Sequence, residues 1–439
     1  MGVIDLRNYQ QRIEACRPLV TSGRITDVVG LTIEATGPAM QIGDVCYVEP
    51  ARGTAPVPVE VVGFRQDKIL LMPLGGMRGI GPGCRVRPTH APHTAGVGPG
   101  LIGRVIGSDG HPIDGGPPLD YEKKVSLHRE PPPPMSRQRI LTPIATGVRA
   151  IDACLTCGRG QRMGIMAGSG VGKSKLIGMI ARNTDADLNV IALIGERGRE
   201  VREFIEGDLE LEGLERSVVV VATSDESALL RLNGAFIATA IAEYFRDQGA
   251  NVMLIMDSVT RVAMAQREVG LAIGEPPTTR GYPPSVYAML PRLLERAGTA
   301  AEGSITGFYA VLVEADDLND PVGDTVRSIL DGHIALSRDL AGKGHYPPID
   351  ILGSVSRVMN EVSNPNHAKW AHRFRELLAA YRDNEDLINI GAYVPGSSRE
   401  VDTAIQLMPD FNRFLRQGLK EAAPFAETVN RLSQLTGNR

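Results

Sequence analysis

The stretch GSGVGKS, at residues 168–174, lies between the apolar run QRMGIMA and the segment KLIGMIAR, so a glycine-rich loop joins a buried strand to a helix. Glycines let the backbone wrap around a phosphate group with its N–H groups turned inward, at the positive end of the helix. The usual pattern has glycine at the first position, where this chain has Ala167. Lys173 is expected to reach the β- and γ-phosphates, and the Ser174 hydroxyl to bind Mg²⁺. The predicted residues for binding ATP or ADP are Gly168, Ser169, Gly170, Val171, Gly172, Lys173 and Ser174.

The chain around this loop alternates between strands and helices. Apolar, β-branched runs such as NVIALIG, SVVVVAT, NVMLIMD and FYAVLVE are separated by helical segments, the clearest at 227–247. Continuous apolar strands divided by helices predict a mostly parallel sheet that is buried on both faces. NVMLIMD ends in Asp257, and a carboxylate at the end of such a strand fits the acid that holds Mg²⁺ in P-loop enzymes.

Three further residues have both a functional and a structural interpretation. Glu196 follows NVIALIG and could polarise the attacking water, but GERGRE could equally be the charged, solvated start of a helix. Arg357, in HYPPIDILGSVSRV, could neutralise charge at the γ-phosphate, including from a neighbouring subunit. Tyr346 could stack on adenine or lie in the core. Residue type and spacing alone leave these alternatives open.

The rest of the chain divides by pattern. An apolar stripe of Leu6, Tyr9, Ile13 and Cys16 predicts an amphipathic helix at 1–18, which either docks on its own domain or binds a partner. Short β-like runs at 19–95 predict a small barrel or sandwich. A Gly- and Pro-rich lead-in opens the P-loop domain at 96–361. Helical periodicity, as in Trp370, Phe374, Leu377, Leu378 and Tyr381, predicts a helical domain at 362–439.

Composition excludes several classes of protein. The 47 basic and 51 acidic side chains give a net charge of −4, which disfavours a dedicated nucleic-acid binder. Five cysteines in 439 residues do not make a disulfide framework, and the C-x-x-C of Cys154 and Cys157 has no second pair, which favours a structural role. The sequence contains no signal peptide and no apolar stretch long enough to span a membrane. We therefore expect a cytoplasmic protein.

Five motifs occur in the order AGSGVGKS, IGERGREV, MLIMDSVTR, TTRGYPPSVYAMLPRLLERAG and HYPPIDILGSVSRVM. In this order they resemble the type III export ATPases, which are relatives of the catalytic subunit of rotary ATP synthases. The resemblance covers residues 20–439. It implies an N-terminal β-barrel, a central RecA-like P-loop domain and a C-terminal helical domain, assembled as a homohexameric ring.

The resemblance also implies a role for each matching residue. Lys173 and Ser174 match the P-loop lysine and the Mg²⁺-binding hydroxyl, and Asp257 matches the second Mg²⁺ ligand. Glu196 matches the water-activating glutamate, with Arg197 beside it. Tyr346 matches the tyrosine that stacks on adenine, and Arg357 matches an arginine finger that a neighbouring subunit supplies.

Function and partners follow from the same resemblance. It implies an ATP-hydrolysing motor of the bacterial flagellar export apparatus, peripheral at the cytoplasmic membrane, with the injectisome enzyme as the alternative. A rotary ATP synthase subunit is less favoured because the acidic C-terminal lever loop is absent. Expected partners are a dimeric, stator-like regulatory protein on the N-terminal helix, the export gate and substrate–chaperone complexes. A nucleic-acid partner is not expected, because Tyr47 and Phe64 are the only aromatic residues at 19–95.

Overall fold

The computed structural model describes residues 21–50, 55–313 and 320–437. The predicted N-terminal helix, with Leu6, Tyr9, Ile13 and Cys16, lies outside these ranges and stays a prediction. The described chain forms two compact units: one contains the residues up to His93 together with Ala272–Gly274, and the other contains the remainder. Across the described ranges, no helix combines the length and the apolar character needed to cross a bilayer.

The first unit is a closed antiparallel barrel. Its strands are β1 (Gly23–Val29), β2 (Thr32–Thr36), β3 (Asp44–Glu49), β4 (Val57–Arg65), β5 (Lys68–Pro73) and β6 (Arg85–Pro92). They pair in the order β1-β2-β5-β4-β3-β6. Side chains alternate between inside and outside, so that in β3 Cys46 and Val48 are buried while Tyr47 is only partly buried. Cys46 and Val48 pack with Ile33 and Leu71 in the barrel core, and the predicted N-terminal β-barrel is confirmed.

The second unit is built on a large, mostly parallel sheet. The strands are β7 (Thr94–Val97), β8 (Val105–Gly107), β9 (Lys123–Ser126), β10 (Pro143–Ile144), β11 (Cys157–Gly158), β12 (Arg162–Ala167), β13 (Leu188–Glu196), β14 (Ser217–Thr223), β15 (Asn251–Asp257), β16 (Gly298–Thr299), β17 (Ser304–Leu312), β18 (Gly332–Leu336) and β19 (Ile349–Ser356). The main sheet has the order β19-β18-β12-β17-β15-β13-β14-β8, with β16 beside β17. Strands β16 and β19 are antiparallel to their neighbours, and the other pairs are parallel. Two small antiparallel pairs, β7–β9 and β10–β11, stand outside this sheet.

Helices cover the sheet and continue beyond it. They are α1 (Arg149–Cys154), α2 (Lys173–Asn183), α3 (Gly198–Glu203), a π-helix (Phe204–Leu209), α4 (Glu210–Glu215), α5 (Ala228–Arg246), α6 (Val259–Ile273), α7 (Pro284–Leu294), α8 (Pro321–Ile329), α9 (Arg338–Gly342), α10 (Met359–Val362), α11 (Pro365–Asn389), α12 (Arg399–Leu415) and α13 (Phe425–Thr436), with single 3₁₀ turns at Pro99–Leu101, Pro134–Ser136 and Thr279–Gly281. Helix α5 is the helix predicted at 227–247. Ser227 caps it by accepting a hydrogen bond from Leu230 N–H, which satisfies one of the unpaired donors of the first turn.

The C-terminal region after β19 is helical, as predicted. The Phe374 ring of α11 stacks on Phe411 of α12 with centroids 4.0 Å apart, and Phe414 lies 6.0 Å away. Phe374 and Leu377 are buried, whereas Trp370, Leu378 and Tyr381 are partly buried against the same core. The apolar stripe read from the sequence therefore forms the face of α11 that packs on α12.

Cys154 and Cys157 are both buried free thiols. Burial raises the pKa of the Cys154 thiol to about 12, and it raises the pKa of Cys157 as well. Protonated thiols are poor nucleophiles and poor metal ligands. Their surroundings therefore support a structural role for the C-x-x-C pair.

Candidate active site

The candidate site lies at one edge of the main sheet, where parallel strands end. Strand β12 ends at Ala167, β13 at Glu196 and β15 at Asp257. Because these strands run in the same direction, their carboxyl ends meet at one edge, which is where open α/β sheets bind ligands. The fold thus gathers the P-loop, Glu196 and Asp257 from three distant parts of the sequence.

The P-loop occupies the turn from β12 into α2. Gly170 and Gly172 have φ values of +76° and +106°, a region that residues with a Cβ rarely adopt. Val171 between them is buried and packs in the main hydrophobic core. The loop leads directly into the N-terminus of α2, whose free N–H groups and dipole favour an anion.

Lys173 stands between two acidic side chains. Its Nζ contacts Asp257 Oδ1 and lies 3.6 Å from Glu196 Oε1. The side chains of Lys173 and Asp257 are 10% and 4% exposed, so their charges are poorly screened by water. A buried lysine between two carboxylates is the central feature of the site.

The environment of Glu196 changes its acidity. Burial raises the pKa of Glu196 to about 7, and the negative charge of Asp257 adds to the rise, while Lys173 opposes it. A carboxylate with a near-neutral pKa can accept a proton at the pH of the cell and release it again. This environment favours the water-activating interpretation of Glu196 over the solvated helix start.

The donors present suit Mg²⁺ bound together with a nucleotide. Ser174 is exposed in the first turn of α2, and Asp257 lies beside its neighbour Lys173. Among the described residues, no three His, Cys, Asp or Glu side chains cluster as a metal site of their own. Mg²⁺ commonly takes one or two protein ligands and completes its shell with phosphate oxygens and water. Ser174 and Asp257 therefore fit a metal that arrives with the phosphates.

Tyr346 lies next to the P-loop. A Cβ atom placed on Gly172 would be 4.0 Å from Tyr346 Cε1, and the tyrosine is 48% exposed. Its carbonyl oxygen accepts a hydrogen bond of 2.9 Å from the backbone N–H of Gln417, in the loop after α12. Tyr346 is therefore not a core residue, and its ring is available to a nucleotide base.

Arg357 is at the other end of the sheet. Strand β19 begins opposite the end of β18, where Ile349 pairs with Leu336, and finishes opposite the start of β18, where Ser356 pairs with Gly332. A strand of eight residues spans roughly 25 Å, so the Arg357 side chain cannot reach the P-loop of its own chain. Arg357 is exposed, and no carboxylate among the described residues pairs with it.

Arg197 does not contact Lys173 or Asp257 among the described residues. Its guanidinium lies 3.5 Å from Glu200 Oε1, and its side chain is 79% exposed. Thus the structure brings Lys173, Glu196, Asp257 and Tyr346 together with the P-loop, but it leaves Arg197 and Arg357 outside.

The sequence analysis missed Arg261, in the first turn of α6. A Cβ on Gly195 would lie 2.8 Å from Arg261 Cβ and 3.2 Å from its Cδ, so this side chain runs along the residue before Glu196. Its Nε is buried, and no group in the described part of the chain accepts a hydrogen bond from it. A cationic side chain with a buried donor that lacks an acceptor, next to the residue before Glu196, suits an anion. The only sequence signal was its place four residues after Asp257.

Family models match most of the chain. Residues 25–90 match the beta-barrel domain of the ATP synthase alpha/beta family, and residues 147–356 match its nucleotide-binding domain. Residues 363–434 match the T3SS EscN ATPase C-terminal domain.

Whole proteins match over nearly their full length. The flagellum-specific ATP synthase of Bacillus subtilis (strain 168) is 58% identical, over 95% of this chain and 95% of that protein. The type 3 secretion system ATPase of Xanthomonas euvesicatoria is 49% identical, over 94% of each chain.

Among solved structures, the assembled ATPase EscN from the enteropathogenic E. coli type III secretion system is similar at a TM-score of 0.89. The match has 46% sequence identity and covers 94% of this chain and 100% of that one. With the barrel, the P-loop sheet, the helical C-terminal region and these full-length relatives in agreement, the chain belongs to the type III export ATPases of the ATP synthase alpha/beta family, and it hydrolyses ATP.

Proposed function

We propose that this chain is the Mg²⁺-dependent ATPase motor of the bacterial flagellar export apparatus and works as a homohexameric ring with its active sites between subunits. The observation that carries the ring is the position of Arg357, exposed at the sheet edge opposite the P-loop and without a carboxylate partner among the described residues. In a ring, the end of the sheet that carries Arg357 in one subunit would face the end that carries the P-loop in the next subunit. The solved structure of assembled EscN supports the proposal that this chain also assembles.

Each residue then has a defined task. The P-loop amides and Lys173 hold the phosphates, and Tyr346 stacks on adenine. Ser174 and Asp257 would hold Mg²⁺, which neutralises phosphate charge when bound. Glu196 orients the attacking water and accepts its proton, a role that its raised pKa supports.

Two arginines complete the site. Arg261 donates its buried Nε to a phosphate oxygen, which would give that donor the acceptor it lacks. Arg357 of the next subunit neutralises charge that develops at the γ-phosphate. Arginine fingers of this kind raise kcat by about 10³- to 10⁵-fold. Arg197, whose exposed side chain follows Glu196 in the sequence, acts beside Glu196 in the same site in this proposal.

The flagellar assignment rests on the 58% identity to the flagellum-specific enzyme of Bacillus subtilis, against 49% for the enzyme of Xanthomonas euvesicatoria. The injectisome enzyme is the second candidate. In either system the protein would be cytoplasmic, with peripheral contact to the membrane at the export gate. Expected partners are a stator-like dimer on residues 1–18 and substrate–chaperone complexes. A central stalk protein is also expected, because EscN forms a complex with its central stalk EscO.

The test of the shared site is ATPase activity as a function of protein concentration. Wild type, Glu196→Gln, Arg357→Ala and an equimolar mixture of both variants are compared. We expect cooperative wild-type activity, two inactive variants and partial recovery in the mixture, where some interfaces combine an intact Glu196 with an intact Arg357. Specific activity that is independent of concentration, with Arg357→Ala unimpaired, would show that each chain acts alone.

The test of the flagellar assignment is made in cells. Deleting the gene should abolish motility and flagellin secretion while leaving effector secretion intact. The opposite pattern would assign the chain to an injectisome.

A further inference from the structure

A π-helix follows the helix that carries the charged segment after Glu196. It spans Phe204–Leu209, and the N–H of Glu210 bonds to the carbonyl of Ile205, five residues back. Such turns are rare and often lie at functional sites. This one connects α3, which begins two residues after Glu196, to α4.

Helix α3 has little of its own to hold it in place. Of its six residues only Val201 is buried. Arg199 and Glu203 pair within the helix, 3.6 Å apart and both largely exposed. Arg202 pairs with Glu206 of the π-helix at 2.8 Å, and both of these side chains are also largely exposed. Exposed pairs of this kind contribute about 0–1 kcal/mol. The position of α3 is therefore set by the elements at its two ends, β13 and the π-helix.

The π-helix packs directly on the P-loop helix α2. Phe204, Asp208 and Leu209 are buried. Lys175, two residues after Lys173, donates a hydrogen bond of 2.7 Å from Nζ to Asp208 Oδ1. A Cβ on Gly178 would lie only 2.7 Å from the carbonyl oxygen of Asp208, so glycine alone permits this approach. Lys175 and Gly178 lie on one face of α2, three residues apart, and both contact Asp208.

The other end of the π-helix makes a second contact, which is more exposed to solvent. Glu210 has a φ of +57°, which turns the chain into α4, and its Oε1 lies 2.8 Å from Lys420 Nζ. The segment after Glu196 is thus attached to the P-loop helix at Asp208 and to the loop after α12 at Glu210.

We infer that Asp208 is a positioning residue for Glu196: by holding the π-helix on α2 through Lys175, it keeps α3 and Glu196 at their working separation from Lys173. The Asp208 side chain is only 9% exposed while Lys175 is 54% exposed, so this ion pair is less screened than pairs in which both side chains are exposed. The inference rests on the proposed role of Glu196.

The experiment uses the full-length protein at a concentration where the specific activity of wild type has levelled off. Asp208→Asn and Lys175→Met each remove the ion pair, and Lys175→Arg retains it. Asp410→Asn is the matched control, because it breaks an ion pair of 2.8 Å with Arg413 on the exposed face of α12. Since Lys175 is 54% exposed, its variants keep the fold even where Asp208→Asn does not.

We expect kcat of Asp208→Asn and Lys175→Met to fall by about 10- to 100-fold, the cost of a misplacement of about 1 Å in a catalytic group. KM for ATP should stay within about twofold, since the phosphate loop itself is untouched. Lys175→Arg and Asp410→Asn should behave as wild type. Unchanged kcat in both Asp208→Asn and Lys175→Met, even with lower thermal stability, would overturn the inference. A raised KM shared by Lys175→Met and Lys175→Arg would also overturn it, because Lys175 would then act on ATP directly.

Glu196→Gln, measured in parallel, separates this inference from the proposed function. If Glu196→Gln retains wild-type kcat, the role assigned to Glu196 is wrong and the inference fails with it. If Glu196→Gln is inactive while Asp208→Asn and Lys175→Met keep full kcat, the role of Glu196 stands and only the positioning by Asp208 is wrong.

Discussion

Tyr346 and Arg357 lie just before and just after the single strand β19, so they stand at opposite ends of the strands of one sheet. Tyr346 stands beside the P-loop of its own chain, while Arg357 is exposed at the far edge. In the proposed ring, one strand therefore serves two nucleotide sites. Any movement of β19 along β18 would change the adenine contact in one site and the finger in the next.

Arg357→Ala should lower kcat by about 10³-fold or more while leaving the affinity for ATP nearly unchanged, because the P-loop and Tyr346 belong to the other edge. Steady-state kinetics and binding of a fluorescent ATP analogue measure the two effects. Arg413→Ala, which removes an exposed arginine from α12, is the control. If Arg357→Ala loses ATP affinity and turnover to the same extent, Arg357 would stabilise bound ATP rather than the transition state, against this prediction.

Tyr346→Ala should weaken ATP binding by roughly 10-fold, since stacking of a base on an aromatic ring contributes about 1–3 kcal/mol. Tyr346→Phe keeps the ring and should bind as wild type. Isothermal titration with ATP provides the measurement. If Tyr346→Phe and Tyr346→Ala bind ATP equally weakly, the tyrosine hydroxyl rather than its ring would make the contact.

The pH dependence of kcat/KM should show an acidic limb with a midpoint near 7, the raised pKa of Glu196. Below this value the free enzyme holds a proton on Glu196 and lacks a base, so activity increases as pH rises. Initial rates from about pH 5.5 to about pH 9 at low ATP measure the limb. A flat profile through neutrality would contradict the role of Glu196 as a base.

Glu196→Gln should make the protein more stable at about pH 8 than wild type, while the difference shrinks as pH falls and is lost below the unfolded-state pKa of about 4.3. The folded state raises the pKa of this carboxyl, so ionised Glu196 costs folding free energy. That cost appears as pH rises through the unfolded-state pKa and is complete above the folded-state pKa. Thermal unfolding of both proteins across this range tests the sign, and a lower stability of Glu196→Gln at high pH would refute it.

Glu243→Gln should lower the free energy of unfolding by about 3–5 kcal/mol. Glu243 forms two hydrogen bonds, of 2.9 and 2.7 Å, with the Arg296 guanidinium, and both side chains are almost fully buried. The variant would leave the buried arginine without a counter-ion. Denaturant unfolding measures the change, and Asp410→Asn, which breaks an exposed pair, should shift it by less than about 0.5 kcal/mol.

The sequence predicted those parts of the site that follow from general rules of the fold. The P-loop has its own spacing, and Asp257 ends a buried strand whose carboxyl end must lie near that loop. Glu196 also had an interpretation as the solvated start of a helix, and residue type and spacing could not decide between that position and one beside Lys173. Tyr346 could have been buried, and its half-exposed position beside Gly172 depends on how β18 and β19 join.

Two features had no sequence signal of useful strength. The unpaired Nε of Arg261 results from close packing of α6 on Gly195, a contact between segments far apart in the chain. The π-helix at Phe204–Leu209 requires one additional residue per turn, and apolar periodicity does not distinguish this from an irregular α-helix. Both arise from tertiary contacts rather than from local propensity.

The contact between Lys173 and Asp257 makes ligand binding an exchange of counter-ions. A phosphate that takes Lys173 leaves the buried Asp257 carboxylate without its cation. A cation that takes Asp257 leaves Lys173 with Glu196, 3.6 Å away, as its remaining carboxylate. ATP and Mg²⁺ arriving together supply a partner for both charges at once. The site should therefore select the complex over either component, so that free ATP and free Mg²⁺ are weak competitors in a cell that contains both.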